Sequence, residues 1–518
     1  MRPTLRRLLV GAAALAAAAV VAAPADAAGP QVTQVIPDAT VAAGFDTLVD
    51  PILFASHQTE LNNPSTTFEL SGSLAGVSLA NPDEGADWCT ADGSQKLTCT
   101  LPFPLDLDKN GVIGFFEAKL SADKAALGET GKLKVTLTAD GIAPVETTVD
   151  VNVAEAVDLA AGKNSIVSVK PGGAFDAGLQ LHNNADSAAH GAALIFDTDY
   201  AFRSAKKFSN CFYEGDHLNA CVFDQDLAAG GSYSLTVPYQ AGKDTQAPGT
   251  AAGEFEWLTG DDYADLINFL SSRGLGGPGT VGTGGKLELE QLPTIRSLAK
   301  QTDPDQNNNW QTVDLKVTGK QGVDLAAVGA TFTGTAGQTV PVTVGVRNVG
   351  KATLDWSRSD EPAAAVLVTP PTGTTAAEIP AGCTKSDGIF STKPGVTQYL
   401  CLSDPLFPAG TSVTWTFQLK VNKASSNTLG SVEVNPPCAC DVFAGDINKA
   451  NNTAKIVLNP TGGGQGGNGG STGGQGGGGG LAITGPQTAV VGGAGAALVA
   501  AGVVGFVFAR RRRTRFEA

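Results

Sequence analysis

Val413-Thr414-Trp415-Thr416-Phe417-Gln418-Leu419-Lys420-Val421 alternates apolar and polar side chains without a break. Successive side chains of an extended strand point to opposite faces. The period of two therefore puts Val413, Trp415, Phe417, Leu419 and Val421 on a buried face and leaves Thr414, Thr416, Gln418 and Lys420 to solvent. Tyr233, Leu235 and Val237 follow the same rule earlier in the chain, and so do Leu133, Val135 and Leu137. Many short strands of this kind, parted by Gly, Pro and Asn turns, predict a mainly β chain built of sandwiches.

Internal similarity sets the number of units. Val157-Asp158-Leu159-Ala160-Ala161 recurs as Val323-Asp324-Leu325-Ala326-Ala327, and Leu179-Gln180-Leu181-His182-Asn183 aligns with Val344-Gly345-Val346-Arg347-Asn348. Both units close on an asparagine pair and a strand, Asn308-Asn309 through Leu315 and Asn451-Asn452 through Leu458. A cysteine pair also recurs, at Cys89 and Cys99, Cys211 and Cys221, and Cys383 and Cys401, which brings in a first unit. Tandem domains at 28–153, 154–318 and 319–459 are expected. The pattern resembles the Ig-like repeats of bacterial surface proteins, including the cell-adhesion-related (CARDB-like) type, in which a domain opens on an Asp-Leu strand and closes on an Asn-Asn turn and a last strand. The resemblance covers 155–459 well and 30–153 loosely, and it implies Ig-like β-sandwiches.

One segment departs from the all-β pattern. Between Thr259 and Arg273, Tyr263, Leu266, Ile267 and Leu270 share one helical face, with Asp261 and Asp262 in the first turn and Gly274 after the end. The second unit is 23 residues longer than the third between matched landmarks. A helix plus the glycine-rich stretch Gly274–Gly285 accounts for that excess, so 259–285 reads as an insertion between strands.

Both ends read as addresses. Arg2, Arg6 and Arg7 precede the apolar run Leu8–Ala23 and then Ala25-Asp26-Ala27, a signal peptide over 1–27. At the other end stands Leu481-Ala482-Ile483-Thr484-Gly485, then an uncharged apolar span 488–509, then Arg510 to Arg513 and Arg515 in a basic tail 510–518. As a helix the span would cover about 33 Å, enough for a bilayer core of ~30 Å, with the arginines held inside. This order resembles the cell-wall sorting signal of Gram-positive surface proteins. Ala482 in the second place matches the LAXTG form read by class E-type sortases of actinobacteria. The resemblance implies a sortase that cleaves between Thr484 and Gly485 and joins Thr484 covalently to peptidoglycan, the membrane holding only the precursor. A plain membrane anchor is the alternative. The linker 460–480 is glycine-rich, a flexible coil of roughly 25 Å root-mean-square length.

The part between the two addresses carries 27 basic against 48 acidic residues. Such a surface disfavours nucleic acid and anionic lipid. All eight cysteines lie in it, an even number suited to an oxidising compartment. Staples Cys89–Cys99, Cys211–Cys221 and Cys383–Cys401 are expected, each shorter loop being worth about 3 kcal/mol. Cys438 and Cys440, one residue apart after Pro436-Pro437, would form a strained bridge if joined, or a metal or redox pair.

Candidate chemistry is sparse. Asp106, Asp108, Asn110 and Glu117 with Gly111 fit the ligand spacing of a calcium loop, yet strands rather than helices are expected around them, with Phe115–Glu117 continuing into one. Asp303-Pro304-Asp305-Gln306-Asn307 offers a second oxygen cluster near a domain junction, for which an Asx turn is the plainer reading. Gly274–Gly285 with Lys286 fails the phosphate-loop spacing, since Thr280 stands where glycine is needed and Leu287 where a hydroxyl is. His57, His182, His190 and His217 lack zinc-site spacing, and no nucleophile elbow occurs. No catalytic residue is assigned and no resident cofactor is expected apart from the candidate calcium. Two functional readings follow. One is a non-enzymatic, wall-anchored protein with an adhesive or stalk role toward an extracellular ligand. The other is a surface ligand-binding module or wall-associated hydrolase with its site near the insertion, where an open cleft around Tyr263 and Trp257 would favour the hydrolase.

Overall fold

The computed structural model describes residues 31–82, 88–107, 111–112, 114–272, 277–290, 301–357, 361–386, 397–436 and 445–461. The expected signal peptide, almost all of the linker, the sorting signal with its span, and Cys438 and Cys440 lie outside these residues.

The chain is mainly β, and three hydrophobic cores follow one another along it, running from Ile36 to Val153, Val157 to Leu315 and Val317, and Val323 to Leu458. Around each core two sheets face one another. In the second unit a four-stranded sheet takes the order Leu159–Ala161, Ala174–Asn183, Ser232–Ala241, Phe202–Ser204. In the third, Leu325–Val328, Thr339–Asn348, Ser412–Val421 and Thr374–Glu378 take the same places. The first unit keeps three strands there, Asp46–Val49, Ala118–Ala122 and Val77–Ala80. Burial in Ser412–Val421 follows the sequence alternation: Trp415, Phe417, Leu419 and Val421 are buried, Val413 is half-buried, and Thr414, Thr416 and Lys420 are exposed.

The larger sheet has the same connectivity in all three units. An early short strand runs parallel to the last strand of its unit: Ala39–Ala42 with Val145–Ala156, Ser165–Val169 with Trp310–Gln321, and Ala330–Phe332 with Thr453–Leu458. Two antiparallel strands follow, and then a hairpin closed by a disulfide. Within each hairpin the cysteines stand directly opposite, Cys89 to Cys99, Cys211 to Cys221 and Cys383 to Cys401, and all three pairs are bonded. This is an immunoglobulin-like arrangement of two facing sheets.

The repeated sequence motifs turn out to be one hydrogen-bonded clasp. Asn183 is buried; its amide donates to the carbonyls of Ser187 at 2.8 Å and Leu227 at 3.1 Å and accepts the Ala185 N–H at 3.1 Å. Asn348 does the same toward Ala352 at 2.8 Å, Phe407 at 3.2 Å and the Gly350 N–H at 3.1 Å. The opening and closing motifs also join, since Asn308 donates to Asp158 at 3.0 Å and Asn451 to Asp324 at 2.7 Å. A buried polar group is tolerated only when paired, so these asparagines fix the local chain path.

The insertion differs in detail from its reading. Helix α1 (Gly260–Ser272) starts directly after strand Ala247–Thr259, with the Asp262 N–H capped by the Thr259 hydroxyl at 3.0 Å. Tyr263 and Leu270 pack with Ala193, Ile195 and Ala220 on the outer face of the large sheet. Strand Ala189–Thr198 is thereby covered on both sides, which explains its nearly continuous apolar run. The glycine-rich stretch is not all loop. Thr280–Val281 pairs with Tyr213 and Phe212 as an extra edge strand. Gly282 lies so close to the strand's flank that a Cβ there would meet the Phe208 carbonyl at 2.2 Å. The glycines permit that approach.

Candidate functional site

The joint between the first two domains gathers the residues that the tandem repeat does not explain. Strand Val145–Ala156 leaves the first domain and pairs in parallel with Gln301–Thr302, which returns from the insertion. Gln301 is buried and fully used. Its side chain donates to Glu155 at 3.1 Å and to the Ala188 carbonyl at 2.9 Å, and it accepts the His190 N–H at 2.7 Å. Its own N–H reaches Asp261 at 3.0 Å. From the first domain, the Thr40 hydroxyl donates to Asp265 of α1 at 2.9 Å.

Asp262 and Asp303 lie at the centre of this joint. Asp262 accepts the Thr302 hydroxyl at 2.7 Å and the Asp303 N–H at 3.1 Å. Burial pushes its carboxyl up to about 6 against the pull of those donors. Asp303 accepts the Leu159 N–H at 2.8 Å, the Asn309 amide at 3.1 Å and the Asp305 N–H at 2.9 Å, and burial pushes it up to about 7. The bond from Asp305 back to Asp303 is an Asx turn, the plainer of the two readings of 303–307. Asp446 repeats it in the third domain, accepting from Asn448 at 3.1 Å and Leu325 at 3.4 Å. These carboxylates hold backbone N–H groups; each oxygen described is already engaged, which suits a clasp and not an acid–base pair.

A cleft of about 530 Å³ opens beside the joint, between α1 and the first domain. Leu266 and Phe269 line one wall and Leu48 another, with Asp46 and Asp265 at the sides and Lys119 as a basic member. The surface around Trp257 and Tyr263, by contrast, is filled. Trp257 is wholly buried and its indole N–H donates to the Gln180 carbonyl at 3.1 Å, and Tyr263 is packed under α1 with its hydroxyl driven up by burial. The concave surface near the insertion therefore lies beside Leu266 and Phe269, at the edge of the helical face the sequence named, and not around Tyr263 and Trp257.

The second and third domains also meet through hydrogen bonds. The Thr353 hydroxyl donates to Asp244, its N–H to the Asp244 carbonyl at 2.7 Å, and the Tyr200 N–H reaches across to Asp355 at 2.7 Å; within the second domain the Tyr200 hydroxyl donates to the same Asp244 at 2.9 Å. Burial and the neighbouring Asp244 raise the Tyr200 phenol.

The other candidates fall as follows. Asp106 sits in strand Leu105–Leu107, opposite Glu60, while Asp108 and Asn110 lie outside the described residues. Glu117 precedes strand Ala118–Ala122, which begins three residues later than the expected start at Phe115. Among the described residues no group of three or more His, Cys, Asp or Glu is placed to hold a metal ion. His57 and His182 bond to serine hydroxyls, His190 to Asp226 and His217 to Arg203. Leu481, Ala482, Ile483, Thr484 and Gly485 are outside the described residues. Gln301, Thr40, Asp244 and Thr353 were missed by sequence reasoning. The role of Asp303 was legible, since it and Asp446 stand at the same spacing as Asn308 and Asn451.

No family model matches the chain, and no curated protein matches it. Among solved structures, a putative membrane anchored protein from Corynebacterium diphtheriae is similar over 82% of this chain and 91% of its own, at 10% identity and a TM-score of 0.15. The C-terminal domain of the Streptococcus agalactiae AgI/II polypeptide BspA covers 44% of this chain and 96% of its own, at 7% identity and a TM-score of 0.16. The third cohesin ScaC of Acetivibrio cellulolyticus covers 24% and 99%, at 15% and 0.20. At these identities and scores the likeness carries no argument about function.

Proposed function

We propose that this chain is a non-enzymatic surface protein, exported and then joined to peptidoglycan through Thr484 by a class E-type sortase. It displays three Ig-like domains as an adhesive or structural stalk. The observation that carries this reading is the order Leu481–Gly485, apolar span, arginine cluster. Each part has its own physical role, namely recognition, transient arrest in the bilayer, and retention of the tail inside. The three disulfides support an oxidising location. The hydrogen-bonded joints support a stalk, since buried ties at both junctions oppose free swivelling of the domains. Mass spectrometry of the chain released by a muramidase tests the linkage. The expected C-terminal peptide ends at Thr484 and carries a muropeptide stem; a C-terminal peptide extending through Arg515 would refute it.

The cleft against α1 favours a second reading, a module that also takes an extracellular ligand, because clefts of this size at domain interfaces are common ligand sites. Phe269→Ala and Leu266→Ala should abolish such binding on a glycan and matrix-protein panel while leaving wall anchoring intact.

A further inference from the structure

Among the described residues four Phe or Trp side chains are exposed, and three of them meet in one place on the first domain. Trp88, Phe103 and Phe115 are 43%, 39% and 37% exposed. The Trp88 and Phe103 rings lie 5.7 Å apart at 87°, and Phe103 and Phe115 lie 6.4 Å apart at 72°. Pro102 and Pro104 beside Phe103 are exposed as well. The disulfide hairpin fixes the group: Trp88 adjoins Cys89 and its carbonyl accepts the Thr100 N–H at 2.8 Å.

The fold does not require these rings. Trp88 precedes the first hairpin cysteine, and the matching residues of the sibling hairpins are Asn210 and Gly382. Phe103 lies four residues after the second cysteine, where the siblings have Gln225 and Pro405. Clustered, exposed aromatic surface that folding does not call for marks an interaction site.

Charge indicates what covers it. Among the described residues of 88–117 stand three acidic side chains, Asp92, Asp106 and Glu117, against one lysine, Lys96, which is already held by Glu69 at 2.5 Å. Asp106, three residues after Phe103, stands directly opposite Glu60, and both side chains are exposed. Like charges facing across a strand pair repel, and a cation laid between them removes the cost. A second copy of this acidic chain would add to the repulsion. A neutral glycan would take the rings but has no use for the opposed carboxylates. Steeply inclined rings leave electron-rich faces that attract lysine and arginine.

We propose that Trp88, Phe103 and Phe115, with Glu60 and Asp106, form a docking surface for a basic polypeptide segment whose apolar side chains cover the rings. This goes beyond the stalk reading, and its test does not depend on wall anchoring. Fluorescence anisotropy of labelled peptides against the full chain in detergent decides it, using an alternating Lys/Leu peptide, its Glu/Leu counterpart and a neutral β-glucan oligosaccharide. The Lys/Leu peptide should bind, more weakly as salt rises, and Trp88→Ala with Phe103→Ala should weaken it about tenfold or more. Glu60→Gln with Asp106→Asn, which leaves the rings in place, should weaken it a few-fold and flatten the salt dependence. Lys/Leu binding unchanged in both double variants, equal binding of the Glu/Leu peptide, or ring-dependent binding of the oligosaccharide instead would overturn the proposal.

Discussion

Replacing Asn348 by alanine removes three hydrogen bonds from a site with no access to water. The carbonyls of Ala352 and Phe407 lose their donor and the Gly350 N–H loses its acceptor. A satisfied hydrogen bond is worth about 1 kcal/mol net, but a buried group left unpaired costs about 1–3 kcal/mol, so a loss of about 3–5 kcal/mol is expected after some relaxation. That is a large part of the ~5–15 kcal/mol by which a domain is stable. Asn183→Ala deletes the same three bonds in the second domain, at distances within 0.1 Å of their counterparts. Its cost should agree with that of Asn348→Ala to within about 1 kcal/mol. Urea denaturation followed by tryptophan emission reads both, because Trp257 belongs to the second core and Trp415 to the third. A loss below about 1 kcal/mol in either domain would refute the reasoning that the asparagines hold the chain path.

Other consequences are equally open to measurement. Cys211→Ser with Cys221→Ser should lower second-domain stability by about 3 kcal/mol through release of a short loop, read as the shift in its urea midpoint. Asp303 and Asp262 are raised from 3.8 to about 7 and about 6, so their contribution is full below the unfolded value and is lost as pH rises through 6 to 7. Calorimetry should find the second domain more stable near about pH 5 than near about pH 8, by on the order of 1.4 kcal/mol for each tenfold gain in proton affinity on folding, and Asp262→Asn should shrink that difference. A melting point that climbs toward pH 8 would contradict it. Asp244→Ala releases the Tyr200 and Thr353 hydroxyls from their shared carboxylate at the second joint. It should broaden the distance distribution in small-angle scattering while leaving each domain folded.

The strands were legible because a half-buried strand writes its faces into a period of two, as 413–421 does. The disulfides were legible because a cysteine hairpin recurs three times at matched places. The helix was legible from four apolar residues on one face. Its docking was not, since that depends on Ala193, Ile195 and Ala220, which come from strands distant in sequence. Whether the surroundings of Trp257, just before the insertion, are open or filled was not legible either; its ring lies inside the sandwich. Gln301 carries no local signature at all. Its meaning arises only when Glu155, Ala188, His190 and Asp261 converge on it from separate elements. The exposed ring cluster was hidden for the same reason, because Trp88, Phe103 and Phe115 come together only in space.

Cell fractionation with Thr484→Ala as the control tests wall attachment most directly. The unaltered chain should leave the envelope only when a muramidase cuts the glycan, while Thr484→Ala should move to the detergent-soluble membrane fraction. Extraction of the unaltered chain by detergent alone, with its arginine tail still present, would contradict the account.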